Sequence, residues 1–69
     1  MPLAMAGRGE ERTIIRITGK DETRRFLENL GFVVGASISV VAEMNGNLIV
    51  NVKGARVAIS REMANKIIV

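Results

Sequence analysis

The residues that do most enzyme chemistry are missing from this chain, which has no histidine, cysteine, tyrosine or tryptophan. Imidazole and thiolate make up the usual zinc, copper and iron ligand sets, so none of those sets can be built. Nucleophilic catalysis would fall to Ser37, Ser39, Ser60, Thr13, Thr18 or Thr23, activated by a lysine or a carboxylate. Ser37 and Ser39 take the outward parity of a strand, and no spacing sets a base beside any of these hydroxyls. Two acidic pairs, Glu10-Glu11 and Asp21-Glu22, are the only start of an oxygen-ligand site. Mg²⁺ or Ca²⁺ needs converging carboxylates, whereas these pairs read as a turn and a helix start. Gly7-Arg8-Gly9 lacks the third glycine, the Lys-Ser/Thr pair and the following helix of a phosphate loop, and it reads as a turn. The expectation is no catalytic residue, no metal ligand and no cofactor. What such a chain offers is the shape of a surface.

The elements that must build that surface are short. Glycines at 7, 9, 19, 31, 35, 46 and 54 punctuate the sequence, and between them the apolar period is mostly two, the mark of strands. Residues 3–6 read as a short first strand and 12–17 as a second. In the second, Thr13, Ile15 and Ile17 face one way and Arg12, Ile14 and Arg16 the other. Residues 20–30 read as the one clear helix. Asp21 and Glu22 sit in its first turn, at the positive end of the dipole. Phe26, Leu27 and Leu30 form its apolar stripe, and Gly31 follows as a left-handed closing residue.

Residues 36–44 and 48–53 read as a hairpin. Ile38, Val40, Ala42 and Met44 alternate on the first strand, and Leu48, Val50 and Val52 on the second. For both sets to face the core, either Asn45-Gly46-Asn47 is a three-residue loop, or a two-residue turn has a bulge beside it. A Lys53-Gly54 turn then pairs Val52 with Ala55 and points Val57 and Ile59 inward. Ser60 caps a helical turn over 61–65, and 66–69 is a closing strand. The fold class that follows is mainly β with one short helix, as a small partly open barrel in one domain over 1–69.

The whole-chain numbers agree. The 69 residues are 48% hydrophobic, enough to support a packed core. The net charge is +3, but Arg24-Arg25 is the only adjacent basic pair. A dispersed balance of this kind reads as a solvated surface. No apolar run approaches the ~18 residues of a membrane span, and the start lacks the basic region of a signal peptide. The expectation is a soluble cytoplasmic protein that is not embedded in a membrane. Small β-barrels also bind nucleic acid, which is the alternative function; its usual aromatic platforms are lacking, because Phe26 and Phe32 read as core. A third reading is a domain that senses a small ligand or a metal. The candidate protein-interface residues are Arg24, Arg25, Asn29 and Phe32 at the helix end, with Val41, Ile49 and Ile14 on the outward parity of strands. An unpaired barrel edge also offers weak self-association.

The motifs together resemble one family. Ile17-Thr18-Gly19, Arg24-Arg25-Phe26-Leu27-Glu28-Asn29-Leu30-Gly31-Phe32, Gly35 and Ile38-Ser39-Val40-Val41 resemble the FeoA family, small cytoplasmic partners of the ferrous iron transporter FeoB. Gly46-Asn47-Leu48-Ile49-Val50, Arg56-Val57-Ala58-Ile59, Met63-Ala64 and Ile67-Ile68-Val69 continue the likeness over nearly the whole chain. The resemblance implies an SH3-like barrel and a non-enzymatic role in ferrous iron uptake and iron homeostasis. That role would be exercised by docking onto the cytoplasmic part of FeoB, a membrane GTPase, and modulating it. Two features depart from the family: many members carry Gly-Asp-Pro in the hairpin turn, and many have proline where Val34 precedes Gly35.

Overall fold

The computed structural model describes residues 1–69. Six strands form two sheets that do not close on each other. The strands β1 (Arg12–Thr13), β3 (Ser37–Met44), β4 (Asn47–Val52) and β5 (Ala55–Ser60) form an antiparallel sheet in the order β1-β3-β4-β5. The strands β2 (Arg16–Ile17) and β6 (Ile67–Ile68) form a second, two-stranded ladder. Helix α1 (Asp21–Asn29) lies between β2 and β3 in the chain, and the short helix α2 (Arg61–Ala64) between β5 and β6. Thirteen apolar residues make one core cluster, and no polar residue is buried with them. No helix is long and apolar enough to cross a membrane.

Turn chemistry sets the register of the larger sheet. Asn45 and Gly46 both have positive φ (51° and 80°), as do Lys53 and Gly54 (50° and 76°). Two consecutive left-handed residues make the tight hairpin turn whose twist suits paired strands. Met44 therefore pairs with Asn47, and Val52 with Ala55. Of the two hairpin geometries expected, the two-residue turn with a bulge is the one adopted. The bulge lies at Val41, between the pairs Val40–Val50 and Ala42–Ile49. It reverses the parity of β3, so Ile38 and Val40 are buried while Met44, expected inward, is 59% exposed. From Val52–Ala55 to Asn47–Ser60 the β4–β5 register is unbroken, and Ile59 is buried as expected.

Three other expectations need correction. Leu3–Met5 is a 3₁₀ turn, not a strand; only Pro2, before it, bridges to Ile68. Residues 12–17 are not one strand, because the chain changes sheet in the middle. The Ile14 N–H donates to Ala36 O (2.9 Å) and the Ile15 N–H donates to Ile68 O (2.8 Å). Ile14 is buried in the core and Ile15 is turned to solvent, the reverse of the parity expected, and the alternation breaks one residue later, where Ile15 and Arg16 are both exposed. On α1 the inward stripe is Thr23, Leu27 and Leu30, spaced i, i+4, i+7, and Phe26 is 52% exposed.

The end of α1 closes as expected. Gly31 has φ +104°, its N–H donates to Glu28 O (3.0 Å), and the Phe32 N–H donates to Leu27 O (3.0 Å). This is the paired hydrogen-bond closure of a Schellman motif, and its usual apolar contact between the residue after the glycine and the last turn falls on two core residues, Phe32 and Leu27. Ser60 caps α2 by accepting the Met63 N–H at 3.1 Å.

Candidate functional site

A hollow of about 300 Å³ opens between α1 and β2, lined by Ile15, Arg16, Ile17, Arg24, Glu28 and Val34. Three backbone features build it. The first is the change of sheet at Ile14 and Ile15, which leaves Ile15 64% exposed. The second is a turn over residues 33–36, in which Ala36 N–H donates to Val33 O (3.0 Å) and Gly35 has φ +92°. Positive φ at the third position is the geometry of a type II turn. It puts Val34 at the second position, where its side chain is 66% exposed. The Gly35 N–H donates to Ile14 O (2.8 Å) and ties this turn to the point where the chain changes sheet. The third is β2 itself, which pairs only with β6. Both of its residues, Arg16 and Ile17, line the hollow.

The helix supplies the charged rim. Successive helical residues are rotated by about 100°, so Arg24 and Glu28 flank the buried Leu27 on one side and Phe26 on the other. Arg24 and Glu28 line the hollow, and Phe26 therefore lies on the opposite flank of α1. Arg24 makes a loose contact with Asp21 at 3.5 Å, and Arg16 makes no ion pair. Exposed pairs of this kind contribute little to stability, and they leave both guanidinium groups able to meet a partner. The hollow thus has an apolar floor of two isoleucines and a valine and a rim of two cations and one carboxylate.

Of the residues singled out by sequence, Arg24, Arg25 and Asn29 are exposed on α1, and Arg24 alone lines the hollow. Phe32 is completely buried, so it cannot touch a partner; the helix closure turns it inward, and it supports the face from beneath. Ile14 is buried in the core, as described above. Val41 is exposed at the bulge, and Ile49 is half-buried between Ala42 and Ala58 on the outer face of the larger sheet. Neither lines the hollow, so the structure separates them from the helix residues. Sequence reasoning missed Ile15 and Val34. The signal was there in two apolar doublets, Ile14-Ile15 and Val33-Val34, since neighbours in an extended chain cannot both face the core.

A second hollow of about 250 Å³ lies at the strand ends beside Glu11, Ser37, Ser39, Asn51 and Lys53. Its lining is mostly polar, with Ile38 the one apolar residue, and it reads as a solvated notch. No group of three or more carboxylates converges as a metal site would require.

The fold, a small open barrel of two sheets with a helix inserted after β2, is SH3-like, and its most distinctive surface is apolar and exposed. A family model described as the FeoA domain matches residues 1–69, and the chain belongs to the FeoA family. It is 35% identical over 68 residues, 99% of this chain and 83% of the relative, to a Methanocaldococcus jannaschii protein named "Putative Fe(2+) transport protein A". Among solved structures, it is similar to a crystal structure of an iron uptake regulatory protein (FeoA), with TM-score 0.89 and 29% identity over 97% of this chain and 91% of that one. A zinc complex of Stenotrophomonas maltophilia FeoA, described as a prokaryotic SH3 domain protein, matches in fold with TM-score 0.85 and 24% identity over 99% of this chain and 87% of that one.

Proposed function

We propose that this chain is an accessory of ferrous iron uptake that acts in the cytoplasm by docking onto the cytoplasmic part of a FeoB-type transporter, a membrane GTPase, and modulating it without catalysis of its own. The observation that carries the reading is the exposed apolar hollow between α1 and β2, rimmed by Arg16 and Arg24, in a chain of the FeoA family. The relative named for Fe(2+) transport supports the pathway. The Stenotrophomonas maltophilia protein, described as a possible bacterial ferrous iron transport activating factor, supports an accessory role. The helix face Arg24, Arg25 and Asn29 is part of the proposed contact, joined by Ile15 and Val34. Fully burying a side chain of this size is worth about 1.5 to 3 kcal/mol, so covering the exposed parts of Ile15 and Val34 supplies a useful share of a micromolar affinity.

The test is a calorimetric titration of the folded chain with the cytoplasmic part of FeoB. Binding is expected at roughly tens of micromolar, about −6 to −7 kcal/mol. Ile15→Glu and Arg24→Glu should each weaken it about tenfold or more, with the melting temperature nearly unchanged because both side chains are exposed. If the wild-type chain does not bind, the functional reading is wrong. If it binds and Ile15→Glu leaves the affinity intact, the hollow is the wrong surface.

A further inference from the structure

The edges of the two sheets are unequal. β1 and β2 are two residues long, and the outer edge of β6 is covered by the Pro2–Ile68 bridge and by the Val69 N–H donating to Met1 O at 2.8 Å. β5 is different: it is a six-residue terminal strand whose only partner is β4. Natural edge strands are blunted by proline, bulges, shortness or charge. β5 has no proline, its register against β4 is unbroken, and its one charged residue is Arg56. Ala55, Ala58 and Ser60 are small and exposed, which leaves the backbone open to approach.

We propose that β5 is a self-pairing edge, along which two copies of this chain join antiparallel about a twofold axis at Ala58. The hydrogen-bond pattern selects the register. The tight turn at Lys53 and Gly54 makes Val52–Ala55 a bonded pair, so Val50–Val57 and Leu48–Ile59 are bonded in turn. The peptide groups of Arg56 and Ala58 then point away from β4. Centring on Ala58 lets it exchange both bonds with Ala58 of the second copy, and sets Arg56 opposite Ser60 of that copy. The two arginines are then about 14 Å apart along the strands, against about 7 Å for a twofold axis at Val57. The first spacing lies well beyond a Debye length of about 8 Å, whereas the second, once the ~4.8 Å between strands is included, is about one Debye length.

Both faces of the sheet continue across this junction. On the outer face Ile49 neighbours Ala58, and the second copy repeats the pair in mirror order. On the inner face Val57 meets Ile59 of the second copy. The contact is one strand long, so it buries well under the ~800 Å² per partner of a standard interface, and the dimer is weak, with a dissociation constant of roughly 0.1 to 1 mM. Each copy carries a net charge of +3, so added salt should tighten the association.

Sedimentation equilibrium and amide hydrogen exchange, followed from about 0.05 to 2 mM, test this; the range brackets the expected constant. The expected result is a monomer–dimer equilibrium that tightens with salt, with exchange at the Arg56 and Ala58 amides slowing as concentration rises. Ala58→Pro removes an outward N–H, a change that edge strands tolerate. Ala58→Lys keeps the N–H and places two like charges at the axis, so it serves even if the proline variant fails to fold. Either variant, when folded, should weaken the dimer about tenfold or more. A chain that stays monomeric at 2 mM overturns the proposal, as does a dimer unmoved by Ala58→Lys or one that protects residues around Ile15 instead.

Discussion

The β3–β4–β5 meander and the segment 12–17 are both built from alternating apolar and polar residues, yet they treat those residues differently. In the meander each strand stays within one sheet and two left-handed turns lock the register, so Ile38, Val40, Leu48, Val50, Val52 and Ile59 all reach the core. In 12–17 the chain leaves one sheet and joins the other between Ile14 and Ile15, and these two neighbours end in opposite environments. The meander shows the same effect on a smaller scale at Val41, where the bulge puts Met44 into solvent. Three of the exposed large apolar side chains, Ile15, Val41 and Met44, lie where a strand is interrupted, whereas Met5, Phe26 and Val34 lie in turns and on the helix. Interruptions of the strands thus supply part of the exposed apolar surface, while the uninterrupted stretches supply most of the core beneath it.

The largest effect that would sharpen this contrast is expected from the two phenylalanines. Phe32→Ala empties a fully buried site and should cost about 3 to 5 kcal/mol, enough to leave a domain of this size largely unfolded at room temperature. Phe26→Ala should change stability by about 0.5 kcal/mol or less, since its ring is half exposed. Paired thermal melts check both, and similar losses would mean that the inside and outside of α1 are wrongly assigned. A smaller effect is expected at Gly31. Alanine there would meet only Val52 and Lys53 side chains at 3.8 and 3.9 Å, which is ordinary contact, so its cost comes from φ +104°. The left-handed backbone should cost about 1 to 2 kcal/mol in a urea titration. A neutral Gly31→Ala would show that the closure of α1 does not fix Phe32. The smallest effect is a gain. Val34 occupies the turn position that proline favours, and its N–H donates no backbone hydrogen bond. Val34→Pro should therefore add about 0.4 to 1 kcal/mol, and a loss of stability would contradict the type II turn that presents this side chain.

Features fixed by a single residue's backbone demands were legible in the sequence. Gly31 marked the end of α1, Lys53-Gly54 set the β4–β5 register, and Ser60 marked the start of α2. For the first hairpin, the need to keep two apolar sets on one side left two geometries, and one of them occurs. Parity failed where the answer depended on which sheet a residue joins. That choice is made by partners far away in the chain, Ala36 for Ile14 and Ile68 for Ile15, and no local pattern reports it. Phe26 was read as core from its place on the helix stripe, and Phe32, just past the helix end, as core and as a contact candidate; the rotation of α1 turns the first outward, and the closure at Gly31 turns the second inward. The proposed contact was half legible for the same reason. The charges on α1 could be seen, while the apolar floor beside them came from the doublets whose second members turn outward.

The peptide linking Ile14 to Ile15 has a mechanical consequence. One of these residues is hydrogen-bonded beside the larger sheet and the next to the smaller, so a single peptide unit couples the two ladders. A ligand seated against Ile15 therefore contacts the chain at the seam between the sheets, next to the Ile14 side chain that both share in the core.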